Sequence, residues 1–231
     1  MLSNLLGELP FLGLVLVFAA YLLALYLRQR YARAWLNPLL VSIVFLALLL
    51  LATDTPYARL AEPSKLLNQA ISPVTVCLAV PLYKQRHYLW RYGRIFLLCL
   101  LLAALANLLS IRLLAGLLPL NRELYLSLLP KSITTAVGMP LSTQIGGIAS
   151  VTVLAILITG LFIQVLAAPL FRLLRLEHPL ARGLALGASA HVIGTACAFD
   201  LGETEGAMSS IALVLSALLT LPICILSLNW F

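Results

Sequence analysis

Long apolar runs dominate this chain, and two stretches rich in proline, glycine and hydroxyl residues interrupt them. The runs at about 9–27, 36–52, 94–118, 144–171 and 204–229 approach or exceed the about 20 residues a spanning helix needs. They predict five full crossings. Three shorter or interrupted apolar stretches, at about 70–83, 121–141 and 181–199, carry Pro, Gly, Ser and Thr at unusual density. Segments such as Leu39–Ala52 and Ile95–Leu109 are continuously apolar, whereas a membrane barrel would alternate apolar and polar residues.

The expected fold is therefore all-α: a polytopic membrane protein with about five spanning helices and two or three short, broken or re-entrant ones. Composition agrees. Of 231 residues, 62% are hydrophobic and 10% charged, against about 25% charged in soluble domains. Mean hydropathy is +1.06. The net charge of +7 suits cytoplasmic loops better than nucleic acid. Cys77, Cys99, Cys197 and Cys224 each lie in apolar surroundings without metal-ligand spacing. They read as small hydrophobes. The first apolar run ends in Arg28-Gln29-Arg30 with no small-residue cleavage site, so it is expected to stay as a membrane helix.

Basic clusters set the expected orientation. Arg28, Arg30 and Arg33 form one, Lys84, Arg86, Arg91 and Arg94 a second, and Arg172, Arg175 and Arg182 a third. All three are expected in the cytoplasm. The N-terminus, the mixed-charge loop at 53–68 and the turn at Asn121–Glu123 are expected outside. With residue 121 outside and residue 172 inside, an odd number of crossings separates them. If 144–171 crosses once, 121–141 dips in and returns, and 181–199 dips from the other face. The alternative is that both short segments cross fully, which places the third basic cluster outside. The preferred count gives one transmembrane domain over 1–231. Its parts are N-terminal helices in 1–93, a helix with a broken segment in 94–143, an inverted counterpart in 144–203, and a last helix in 204–231.

Paired, Gly/Pro-interrupted segments in two halves are a sequence pointer to a transporter site. Here they are LPKSITTAVGMP (129–140) and LGASAHVIGTACAFD (186–200), with one basic side chain each, Lys131 and His191. A charge within a bilayer costs about 2.5–3.5 kcal/mol even on insertion scales. Two readings stand for Lys131: attraction of an anionic substrate group, or snorkelling from a helix end. Pro130, Gly138 and Pro140 are expected to break the helix around it. Ser132, Thr134, Thr135, Ser189 and Thr195 offer hydroxyls for the same ligand, or bond back to helix carbonyls. Gly194 is a candidate for the same binding site. Gly146 and Gly147 are expected to serve packing at the start of the long helix, with Gln144 facing a cavity. His191 is a candidate for substrate or proton handling. Glu205, with Ser209 and Ser210 at helical spacing, is a second proton-coupling candidate, although Asp200, Glu203 and Glu205 also suit helix capping. Asn37-Pro38 reads as an N-cap and first turn. No nucleotide loop, metal motif or nucleophile–base pair stands out, so no metal, no cofactor and no enzyme activity are expected.

Several blocks together resemble the LrgB/CidB family of bacterial inner-membrane proteins. They are Leu36-Asn37-Pro38-Leu39-Leu40, Pro81-Leu82-Tyr83, Leu129 to Thr135, Gly146-Gly147-Ile148, Ala181 to Gly187, Ser189-Ala190-His191 with Gly194-Thr195, and Glu205-Gly206-Ala207 with Ser209-Ser210. The resemblance runs from about residue 36 to the C-terminus. Ala136 follows Thr135 where the family often has Pro, and the basic residue it often carries near Cys197 and Ala198 is missing. The resemblance implies a multi-pass protein of the bacterial cytoplasmic membrane. It also implies a small partner membrane protein of the LrgA/CidA type, with a homo-oligomer as another possibility. Two functions follow from it: a carrier of small monocarboxylates resembling pyruvate, glycolate or glycerate, with proton coupling as an option, or a holin/antiholin-like modulator of murein hydrolases and autolysis. The paired polar breaks favour the carrier.

Overall fold

The computed structural model describes residues 11–31, 38–77, 79–84 and 86–230. Those residues form helices and short connections with no strand among them. The chain is an all-α polytopic membrane protein. Five helices are long and apolar enough to cross a membrane by length and composition: Leu12–Tyr31, Trp90–Leu117, Ala149–Leu173, Pro179–Leu201 and Glu203–Leu226. These differ from the expected five. Among the described residues the run at 36–52 is the helix Pro38–Ala52, 15 residues. Pro179–Leu201 has a span's length, yet it is broken at His191. Asn37, expected as an N-cap, and Arg33 lie outside the described residues.

The chain divides into two compact units after Val74. In the first, α1 (Leu12–Tyr31) packs on α2 (Pro38–Ala52). Ala20 and Ala24 are buried on α1, and small residues let helix backbones approach. Ser42 Oγ lies 2.5 Å from the Pro38 carbonyl and 3.4 Å from that of Ala20. Much of the loop expected at 53–68 is helix instead: α3 spans Ala58–Cys77. Its charges sit at helical spacing, with Lys65 Nζ 2.7 Å from Glu62 Oε1. Mixed charge had signalled a loop, but it suits the polar face of an amphipathic helix equally well.

The second unit contains α4 (Ala79–Lys84), α5 (Arg86–Leu117) and then a helical hairpin. Its first arm is α6 (Arg122–Leu128), started by Asn121 Oδ1, which accepts from the Leu124 N–H at 2.8 Å. A 3-10 turn over Leu129–Ser132 follows, with Pro130 at its start. Ile133 and Thr134 are extended, and α7 (Thr135–Ile145) forms the second arm. The expected breaks at Gly138 and Pro140 do not occur, since α7 runs through both. The arms lie antiparallel. A Cβ on Gly138 would sit 3.3 Å from the Pro130 carbonyl, and one on Gly147 would sit 2.9 Å from the Ser127 nitrogen. Gly146, at φ +91°, ends α7, and α8 (Ala149–Leu173) begins later than the expected residue 144.

A second hairpin follows α8. In α9 (Pro179–Leu201) the helix is interrupted at His191, with φ 51° and ψ −127°. A Cβ on Gly194 would collide with the carbonyl of Leu186, eight residues earlier. In a straight helix those residues stand about 12 Å apart. Leu186 and Ala198 also share one buried cluster with Ala167. The halves 179–190 and 192–201 therefore fold back on each other. Gly202 links this hairpin to α10 (Glu203–Leu226).

Both hairpins are thus followed by a glycine link and a long helix, and they enter from opposite ends of α8. With 25 residues, α8 is about 37 Å long. Hairpin arms of 10 to 12 residues reach about 15–18 Å. Two such arms, pointing toward each other, meet near the middle of α8.

Candidate functional site

The tips do meet. His191 Nε2 lies 3.2 Å from the carbonyl oxygen of Lys131. A carbonyl only accepts, so Nε2 carries the hydrogen. Lys131 ends the first arm of its hairpin, where helix carbonyls are left without N–H partners. His191 supplies a donor to one of them. The second arms, α7 and 192–201, start at the tips. Their N-terminal N–H groups and positive dipole ends point to where the tips converge.

Beside the tips is a cavity of about 420 Å³, within the range of about 300–1,000 Å³ typical of small-molecule sites. Four helical elements and one tip enclose it. Lys131 and Ser132 come from the first tip, and Ala185, Ala188 and Ser189 from the first arm of the second hairpin. Asn107 and Ser110 come from α5, Thr159 from α8, and Ser216 and Thr220 from α10. Thr159 sits near the middle of α8, so the cavity lies at mid-length of the bundle. That position bears on Lys131: its backbone is at a hairpin tip, not at the outer end of a helix. Lys131 is the charged residue on the wall, and no ion pair to its ammonium exists among the described residues. The chemistry on offer is one cation, several hydroxyls and an amide within an otherwise apolar shell.

The structure brings together some expected site residues and separates others. Lys131, Ser132 and Ser189 share the cavity wall. Thr134 is buried and Thr135 half-buried at the start of α7, with the Thr134 carbonyl accepting from Val137 and Gly138. His191 is 3% exposed and joins the tips from behind the wall. Gly194 is packed on Leu186. Thr195 Oγ1 donates to the His191 carbonyl at 2.8 Å and lies 2.9 Å from Ser209 Oγ, which holds the second tip against α10. Gln144 is exposed near the outer end of α7 and is not on this wall. Glu205 is buried in the first turn of α10, at the base of the second hairpin and one arm's length from the tips. Its backbone carbonyl abuts Gly183. Gly147 serves the packing role expected of it.

Asn107, Ser110, Thr159, Ser216 and Thr220 were not foreseen. Their signal is plain afterwards: polar residues inside membrane helices usually face a cavity or the bundle interior. Asn107 falls within Ile95–Leu109, which read as uninterrupted. A second unforeseen group anchors the first hairpin. Thr152 Oγ1 on α8 lies 2.8 Å from the Ser127 carbonyl and 2.6 Å from Ser142 Oγ. Ser127 Oγ accepts from the Ile148 N–H at 2.7 Å and donates to the Glu123 carbonyl at 2.6 Å. Both arms are thereby tied to the start of α8.

No solved structure matches the chain. The LrgB-like family matches residues 17–230, nearly the whole sequence, and the protein belongs to that family.

Proposed function

We propose that this protein is a secondary carrier of small organic anions. The observation that carries the reading is Lys131 on the wall of a cavity where two oppositely entering hairpin tips meet. Irregular backbone at membrane depth persists where it is buried in protein or lines a cavity. Broken helices meeting at mid-depth are a recurring way to build an ion or substrate site reachable from either side. A monocarboxylate needs one cation and several hydrogen-bond donors, which is the set present here. Family membership fits both transport and a link to murein hydrolase regulation. A lesion-forming or regulatory helix bundle has no need of a half-buried lysine where two folded tips meet, and an autolysis phenotype can follow from altered metabolite flux.

The hairpin geometry also supports the topology. If α5 and α8 each cross once and the first hairpin returns, Arg86, Arg91 and Arg94 share a side with Arg172, Arg175 and Arg182. That is the arrangement the positive-inside rule favours, with those loops in the cytoplasm of a bacterial inner membrane. The carrier acts alone or with a small LrgA/CidA-type partner. His191 and Glu205 are its proton-coupling candidates.

Uptake of pyruvate, glycolate, glycerate and lactate into proteoliposomes, with and without the small partner, tests this. Gradient-driven accumulation of one of them, lost in Lys131→Ala, supports the carrier. Absence of uptake, with lysis control unaffected by Lys131→Ala, replaces it with the regulatory reading.

A further inference from the structure

The turn between α8 and the second hairpin gathers three arginines that the carrier reading leaves unused. It ends α8 in a paired pattern: the Leu176 N–H donates to the Phe171 carbonyl at 2.8 Å, and the Arg175 N–H to the Arg172 carbonyl at 3.2 Å. In that pattern the residue after the cap is left-handed and is usually glycine. Here it is Arg175, at φ 50°. Glycine would adopt this conformation without strain, so the backbone alone does not account for an arginine there. Arg182, on the first arm of the hairpin, leans back over the turn. Its Nε donates to the Leu176 carbonyl at 2.6 Å, and its guanidinium carbon lies 5.9 Å from the centre of the Phe171 ring. The bond from Nε fixes the guanidinium and leaves its terminal amino groups for another acceptor. Arg172, next to Phe171, and Arg175 are exposed. Glu177, the acid in the same turn, makes no ion pair with any of the three among the described residues.

Depth and apolar neighbours say what that acceptor belongs to. With 25 residues, α8 is about 37 Å long, against a hydrocarbon core of about 30 Å. Its last turn therefore reaches the headgroup layer. Leu173 and Leu174 stand beside the arginines, 78% and 68% exposed. A free anion matches the arginines and leaves the leucines in water. A phospholipid matches both, since guanidinium groups bind phosphate in a bidentate manner and acyl chains cover the leucines. We propose that Arg172, Arg175 and Arg182 form a headgroup site for an anionic phospholipid. Because Arg172 and Arg175 end α8 while Arg182 belongs to the hairpin, the bound phosphate braces the second hairpin at its base. None of these residues is on the wall of the cavity that holds Lys131, so the site stands whatever the chain carries.

Thermal unfolding of the full chain in detergent micelles doped with phosphatidylglycerol or with phosphatidylcholine is the test. Phosphatidylglycerol is expected to raise the melting temperature of wild type above its value in phosphatidylcholine by at least about 2–4 °C. Arg175→Gly removes one charge and relieves the left-handed residue. It should melt no lower than wild type in phosphatidylcholine and lose much of the rise, a combination that misfolding does not produce. Adding Arg172→Gln should abolish the rise. The pair Arg91→Gln and Arg94→Gln removes the same charge from α5 and should keep it. No rise in wild type, a full rise in Arg175→Gly, or an equal loss in the α5 pair overturns the site. The same rise with inorganic phosphate in phosphatidylcholine micelles overturns the lipid as its ligand.

Discussion

The two hairpin tips solve the same geometric problem with different chemistry. The first breaks over several residues: Pro130, a 3-10 turn, then Ile133 and Thr134 in extended conformation. The second breaks at one residue, His191, in a left-handed conformation. The gradual break leaves Lys131 and Ser132 on a cavity wall. The abrupt one brings Gly194 onto Leu186 and buries its tip. One tip presents a side chain to the cavity, and the other anchors it. In a membrane every backbone group freed by a break needs a partner, and here the second tip supplies one to the first.

Removing the charge from the presenting tip gives the largest expected effect. Lys131→Gln keeps a polar side chain only one atom shorter, so thermal unfolding in detergent is expected to change little. Anion affinity, measured as the concentration for half-maximal uptake, is expected to weaken by about 10- to 100-fold, since hydrogen bonds to charged groups contribute about 1.5–3 kcal/mol. Retained affinity would mean that the cation on this tip does not meet the ligand.

The anchoring tip is expected to tolerate bulk far less than the presenting one. In Gly194→Ala the new methyl meets the backbone carbonyl of Leu186, which cannot move without opening the hairpin. Such overpacking costs typically about 1–3 kcal/mol and sometimes more, and this position should lie at or beyond the upper end. In Gly138→Ala the nearest atom is the Ile156 Cδ1, 2.9 Å away, at the end of a flexible side chain. That variant should lose about 1 kcal/mol. Melting temperatures of the pair check the contrast, and equal losses would remove it.

These two tips were legible in the sequence because a hairpin tip is a local event. Proline, glycine and hydroxyl residues beside one basic residue mark each of them, and charge bias favoured the count in which both segments return over the one in which both cross. What joins separate segments was not legible. Nothing near Asn107 or Ser216 in the sequence says that α5 and α10 face one cavity. The Ser127–Thr152–Ser142 group spans 25 residues and resembles ordinary hydroxyls in apolar helices. Gln144 was misplaced for a related reason: proximity to the break in sequence does not mean proximity to the tip when the arm runs outward for 11 residues. The helix at Ala58–Cys77 was missed because its charges were weighed as a loop signal without testing their helical spacing.

The first hairpin has its own anchor at its base, and Thr152→Val probes it. Valine keeps the shape and removes the hydroxyl. The Ser127 carbonyl and Ser142 then lose their buried partner, which costs about 1–3 kcal/mol. A fall in melting temperature with an unchanged concentration for half-maximal uptake is expected. If that concentration shifts as well, the base of this hairpin also sets the position of its tip.

His191 gives the smallest net change in stability and the sharpest division of roles. A residue held in a sparsely populated backbone region costs of order 1–3 kcal/mol, and glycine adopts such a conformation freely. His191→Gly therefore relieves strain while losing the bond to the Lys131 carbonyl, worth about 0.5–1.5 kcal/mol. The two effects nearly cancel. His191→Ala loses the bond and keeps the strain, so it should melt below His191→Gly by about 1 kcal/mol. Transport separates what stability does not. If the imidazole only fixes Lys131 in place, His191→Gly should widen selectivity and weaken binding while uptake still follows the substrate gradient. If it carries a proton, the same stable variant should lose accumulation driven by a pH gradient and keep exchange of substrate across the membrane. Full retention of binding, selectivity and pH-driven accumulation in His191→Gly would show that contact between the tips is dispensable.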